Sequence, residues 1–267
     1  MGLSIGISLG FGQRRRTFTP AFIFAASEPG VWIDPSDPAA LFSDTAGTTQ
    51  AGIGDPVALV LDKSGNGNHA TQPTLASRPI LREAGGLRYL EFDGVDDFLV
   101  TTTITPGTDK VQMFAGVRKL GEAGTFRALA EFGPNVGSNN GSFLVSAPSG
   151  SADHYRFRVS GTTLGDNLGN AGAEYAGAST DVLAVVADIL TDVHSLRING
   201  AEIESSSSGL GAGNFLEYPL NIGARNGASN FFHGRIYSLF TRFGPNLDTP
   251  TTERTERYVA KRTGVSL

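Results

Sequence analysis

The sequence predicts an all-β fold of two packed sheets or a barrel. Three observations carry that prediction. Apolar runs of strand length recur along most of the 267 residues, with turn signals between them. Glycine (35) and proline (13) punctuate these runs, and a clear helix pattern is confined to the end of the chain. The dipeptide Asn199-Gly200, set between Leu196-Arg197-Ile198 and Ala201-Glu202-Ile203, is a strong two-residue hairpin signal.

The elements follow in order. Residues 3–11 alternate large and small: Leu3, Ile5, Ile7, Leu9 and Phe11 against Ser4, Gly6, Ser8 and Gly10. A period of two is a strand with one apolar and one nearly flat face. Arg14, Arg15 and Arg16 follow, then an apolar patch containing Phe22 and Phe24. Such a strand either joins its own domain's sheet or adds to a sheet edge on another subunit. A leader peptide is a poorer reading, because the apolar core is short and Pro20 interrupts its start. Residues 1–28 are therefore expected to form an anchoring segment, and residues 29–267 the folded domain.

Within that domain, Pro29-Gly30 turns the chain into a strand at Val31-Trp32-Ile33. Ser36 or Asp37 caps a short helix with Pro38 in its first position. Further strands are expected at 57–61, 97–103, 111–119, 126–132, 142–147, 154–160, 182–190, 194–199, 201–205, 217–223 and 231–243. Residues 79–82 and 87–93 form a hairpin around Ala84-Gly85-Gly86. A closing helix at 250–263 has Thr249 as its cap, Glu253 near its positive end, Lys261 and Arg262 near its negative end, and Gly264 as its stop.

Composition excludes several classes of function. A formal charge of −5 argues against a general nucleic-acid binder. The absence of cysteine removes disulfides and thiolate metal sites. No apolar run approaches the roughly 18 residues of a membrane helix.

The acids of Glu91-Phe92-Asp93-Gly94-Val95-Asp96-Asp97 admit three readings. In a glycosidase, Glu91 and Asp93 would share a strand face about 6.5–7 Å apart. A retaining enzyme needs its carboxyl groups roughly 5–5.5 Å apart. Gly94, however, breaks the strand before Asp96 joins the face. In a metal site, Asp62, Asn66, Asp93, Asp96 and Asp97 would be hard oxygen ligands suited to Ca²⁺, although they lack the spacing of a helix–loop–helix calcium motif. In the third reading the acids form a structural corner. Asp93 accepts turn amides, Gly94 takes a positive φ, and Phe92 and Phe98 anchor the strands. The corner is the reading the residues favour, and Asp62 in the glycine-rich loop 62–69 has the same role. His69, His154, His194 and His233 lack zinc spacing and are expected on loops or at the surface. Aromatic candidates for stacking on a sugar are Tyr155, Tyr175 and Phe215.

Five segments together resemble the laminin-G / concanavalin A-like lectin superfamily: Asp62-Lys63-Ser64-Gly65-Asn66-Gly67-Asn68-His69-Ala70, Leu90 to Phe98, Leu196 to Gly200, Leu220 to Ala224, and Phe232 to Ile236. The opening Gly30-Val31-Trp32-Ile33-Asp34-Pro35-Ser36-Asp37, with Leu41-Phe42-Ser43-Asp44, is similar to a subgroup in phages and prophages of proteobacteria. The resemblance implies a concanavalin A-like jelly-roll sandwich in a virion, made in the bacterial cytoplasm. The expected function is then a non-enzymatic tail, fibre or capsid-attached protein with a lectin-like domain. Its partners are other virion proteins, reached through residues 1–28, further copies of itself, and a host-surface glycan. No membrane span, nucleic acid or required cofactor is expected. The alternatives are a glycoside hydrolase using Glu91 and Asp93, and a secreted bacterial lectin in which residues 1–27 serve export.

Overall fold

A computed structural model describes residues 18–120, 125–150, 154–169, 177–207 and 209–267. The strands, in chain order, are β1 (Gly30–Ile33), β2 (Leu41–Phe42), β3 (Leu59–Val60), β4 (Ala70–Thr71), β5 (Ile80–Ala84), β6 (Leu87–Asp93), β7 (Leu99–Thr101) and β8 (Lys110–Lys119). They continue with β9 (Thr125–Phe132), β10 (Ser142–Gly150), β11 (Arg156–Ser160), β12 (Ser179–Asp188), β13 (Val193–Ile198), β14 (Ala201–Ser206), β15 (Leu220–Ile222) and β16 (His233–Phe243). One helix, α1 (Thr249–Thr263), closes the chain.

Two antiparallel sheets form a sandwich, as the alternating pattern predicts. Sheet A runs β14-β13-β12-β8-β16-β6-β5, with β1 also pairing on β16. Sheet B runs β11-β10-β9-β15-β7-β4-β3-β2. Residues alternate in and out along each strand. Val111, Met113, Ala115 and Val117 of β8 therefore meet Phe143, Val145, Phe157 and Val159 of sheet B in one continuous core. Phe132, Phe143, Phe215 and Phe243 stack within it, with ring centroids 4.7–6.5 Å apart.

The outer face of sheet A is also apolar, and α1 covers it. Trp32, Phe114, Val182, Ala184 and Phe240 pack against Val259 and Ala260 of the helix and against Ile23 and Phe24. The helix comes very close to β8. A Cβ on Gly116 would lie 2.1 Å from Thr263 Oγ1 and 2.9 Å from Val259 Cγ1, so only glycine fits there. The cap differs from the expected Thr249. Asp248 accepts the Thr251 amide at 2.8 Å, because its carboxylate reaches the first-turn amides from just outside the helix. Gly264 ends the helix with φ 77°.

The short helix expected at Pro38 is a three-residue 3-10 turn, Pro38–Ala40, capped by Asp37, because Leu41–Phe42 pairs with β3. Fully buried Asp34 welds this corner to α1. It accepts from Ser36 Oγ at 2.6 Å, Lys63 Nζ at 3.3 Å and the Tyr258 hydroxyl at 3.3 Å, and lies 3.7 Å from Arg262.

Candidate functional site

The outer face of sheet B carries no α-helix among the described residues. Inward placement of Phe143, Val145, Phe157 and Val159 turns Leu144, Ser146, Arg156 and Arg158 outward. Register sets them side by side: Ser146 opposite Arg156, and Leu144 opposite Arg158 on one flank and Glu131 on the other. The segment after β9 folds over this surface, and Val136 packs on Ala128 and Leu144.

Glu131, with no exposed surface, is the strut of the arrangement. Its carboxylate accepts the Val136 amide at 2.9 Å and Arg225 Nε at 2.9 Å. Burial pushes its pKa up, while Arg225 and the Val136 amide pull it down; the balance is a raised value. Arg225, so held, lies over the Phe126 ring with its guanidinium carbon 4.9 Å from the centroid. A pocket of about 240 Å³ results. Phe126 and Leu144 give it an apolar surface, Arg156, Arg158 and Arg225 give it charge, and Asn135 and Asn167 give it amides. No acid lines it. An apolar and aromatic patch ringed by planar hydrogen-bonding groups is equipped to hold a polar ring with an apolar face.

The acidic heptad is built as a corner. β6 ends at Asp93, whose Oδ1 accepts the amides of Val95 at 2.8 Å and Asp96 at 3.3 Å. Gly94 has φ 77°, and a Cβ there would collide with Arg127 and His233 at 2.6–2.7 Å. Phe92 is buried and Phe98 half-buried against Phe231. Glu91 is held by Arg82 at 3.1 Å and Arg235 at 3.5 Å.

Asp93, Asp96 and Asp97 do come together, with ligand atoms within 4.8 Å of one another. Asp62 and Asn66 are not part of that group. The three acids suit a hard cation in donor type, but Ca²⁺ takes about six to eight oxygens. Each of the three also serves the fold: Asp96 accepts from Ser77 Oγ at 3.0 Å, and Asp97 from the Asp93 amide at 2.9 Å. Burial pushes the pKa of Asp97 up to about 7, assisted by the charges of Asp93, Asp96 and Glu91 and opposed by the Asp93 amide. Asp62 holds the amides of Trp32, Ser64 and Asn68 at 2.8–2.9 Å. The Asn66 amide group donates to the Glu28 and Gly30 carbonyls.

Several other expected residues lie elsewhere. Leu3, Ile5, Ile7, Leu9, Phe11, Arg14, Arg15, Arg16 and Tyr175 fall outside the described residues. Phe22 is half-exposed, but Phe24 is 6% exposed and packed against its own domain, because Pro20–Phe24 forms a 3-10 turn that lies on sheet A. Arg242 clamps the segment, pairing with Glu28 at 2.8 Å.

Tyr155 and Phe215, candidates for stacking on a sugar, are core residues. Both sit among inward-facing neighbours, and the Tyr155 hydroxyl donates to Asp181 at 2.9 Å. His194, expected at a loop or surface, is buried, and burial lowers its pKa.

The pocket residues are those that sequence reasoning passes over. The Arg156-Phe157-Arg158 alternation does signal two cations on one outward strand face. Phe126 on β9 and Asn135, Asn167 and Arg225 on loops come from separate stretches of the chain and give no joint signal.

No protein-family model and no curated protein matches the chain. Solved structures do match. An arabinofuranosidase complexed with arabinofuranosyl-α-1,2-xylobiose is 16% identical with TM-score 0.63, over 91% of this chain and 65% of that one. A structure of botulinum neurotoxin type C, whose cell entry depends on two ganglioside molecules, is 10% identical with TM-score 0.59, over 87% and 51%. Domain 4 of AbnA, an extracellular GH43 arabinanase of Geobacillus stearothermophilus in complex with arabinotriose, is 13% identical with TM-score 0.51, over 88% and 98%. The chain spans about half the length of the toxin domains it matches. The likeness establishes a shared β-sandwich fold, in proteins solved or described with saccharides or glycolipids.

Proposed function

We propose that the chain is a non-enzymatic, lectin-like domain that binds a glycan in the pocket on the outer face of sheet B. The observation that carries this reading is the pocket itself. The open sheet face joins an aromatic ring and an apolar side chain to guanidinium and amide donors in a space suited to one sugar ring. The saccharide and glycolipid partners of similarly folded proteins support it. The test is binding of bacterial surface polysaccharides to the parent and to Phe126→Ala. Binding that weakens with the variant is expected; no binding by the parent overturns the reading.

The finer proposal is a phage virion protein: residues 1–28 attach the domain to other virion proteins, copies of the chain associate in the particle, and the pocket faces the host surface. It rests on the resemblance of residues 30–44 and on the alternation and arginines of residues 3–16. Because Ile23 and Phe24 belong to the domain's packing, the informative deletion is residues 1–17. The truncated chain should fold yet fail to incorporate into particles, and incorporation without the segment sinks the anchor.

The non-enzymatic part is supported by Glu91 being held between two arginines and Asp93 being folded into its turn. A polysaccharide-release assay checks it. Release by the parent that Glu91→Gln abolishes would make the chain a hydrolase.

A further inference from the structure

Resting on the glycan-binding reading of the same pocket, we infer that the saccharide it takes carries a carboxylate, as a uronic or sialic acid residue does. The chain has a formal charge of −5, yet among the described residues that line this pocket three are arginines and none is an acid. A neutral sugar needs no such concentration of cations. Glu131, opposite Leu144 in the register, lies wholly beneath the surface, where Arg225 Nε and the Val136 amide occupy its oxygens. It aligns Arg225 and presents no negative charge to a ligand.

The arginines are also presented in a form that can grip a planar anion. Arg158 commits its Nε to the Gly165 carbonyl at 3.4 Å, and Arg225 commits its Nε to Glu131. Among the described residues, neither gives its terminal nitrogens a protein acceptor. The terminal nitrogens are the edge of the guanidinium that pairs with the two oxygens of a carboxylate, and fixing Nε reduces the freedom lost on pairing. The Phe126 ring beneath Arg225, 4.9 Å away, holds the guanidinium plane and adds an apolar surface beside it. The amides of Asn135 and Asn167 then face the neutral hydroxyls. Acid, hydroxyls and apolar ring face are the three chemistries that one acidic pyranose presents.

The experiment is calorimetric titration of the full chain with trigalacturonate and sialyllactose, their methyl esters, neutral lactose, and a sulfated lactose. At least one of the two acids should bind about tenfold or more tightly than its ester, as expected for charge-assisted hydrogen bonds of about 1.5–3 kcal/mol. That binding should weaken as salt is raised. Arg158→Gln should lose about the same factor with its thermal unfolding unchanged. Arg225→Gln alone would strand buried Glu131, so Arg225→Gln with Glu131→Gln provides the second variant. Esters or lactose binding as tightly as the acids overturns the carboxylate and leaves glycan binding standing. Sulfated lactose binding tighter than both acids reassigns the anion to a sulfate ester and also overturns it. If none of these sugars and no bacterial surface polysaccharide binds, both readings fall.

Discussion

Sheet A turns Trp32, Phe114, Val182 and Phe240 outward into the underside of α1, whereas sheet B turns Leu144, Ser146, Arg156 and Arg158 outward into an open pocket. Both faces obey the same two-residue alternation. The difference lies in what stands at the outward positions and in what the chain lays over them. On sheet A large apolar side chains and Gly116 admit a helix at close range. On sheet B two arginines opposite Ser146 and Leu144 leave a surface that a helix could not cover without burying charge. A sandwich so divided has a structural side and a side that can meet a ligand.

The largest test of that division is Trp32→Ala on the closed face. Trp32 is 5% exposed and packs on Phe240 and Tyr258, with ring centroids 5.6 and 6.2 Å away. Its truncation should cost about 3–5 kcal/mol in urea unfolding. If the loss is below about 1 kcal/mol, α1 is not part of the cooperative fold.

Gly116→Val comes next. The new side chain must push Thr263 and Val259 away, at about 1–3 kcal/mol. Hydrogen exchange should show α1 amides losing protection while β9–β11 amides keep theirs. Loss spread evenly over both faces would mean that they are not separable.

A smaller effect tests the rim, where β6 of sheet A passes to β7 of sheet B. The pKa of Asp97 is raised to about 7 in the folded chain. The folded state therefore binds the more protons between about pH 4 and 7, and stability falls as pH rises through that window. Asp97→Asn keeps an acceptor for the Asp93 amide and removes the ionisation. It should be more stable than the parent at pH 8, and the gain should vanish near pH 4. A gain independent of pH would refute the raised pKa.

The smallest expected change is Arg82→Gln. It removes an exposed pair with Glu91 at 3.1 Å and should shift stability by less than about 1 kcal/mol. Saccharide binding should stay as it was. A drop in binding would place the glycan near Glu91 rather than on sheet B.

Much of the fold is legible along the chain, because strand alternation and turn chemistry are local. Asn199-Gly200 does join β13 to β14, both residues having positive φ, and Ala84-Gly85-Gly86 does turn β5 into β6. The acidic heptad is legible for the same reason, since an Asp-Gly turn satisfies its own amides within a few residues. Errors arise where long-range packing overrides a local signal. Tyr155 and Phe215 look like any aromatic residue near a turn until two sheets close over them. Phe24 belongs to an apolar patch that could equally have sought a partner.

The sequence by itself determined the alternation, the turns, the closing helix and that Arg156 and Arg158 share one strand face, because each depends on residues within one or two turns of chain. Only the tertiary structure decided which sheet face is covered, and that Phe126, Glu131 and Arg225 converge beside that pair. Those side chains come from segments up to 99 positions apart, and no local preference of the backbone records which of them will meet.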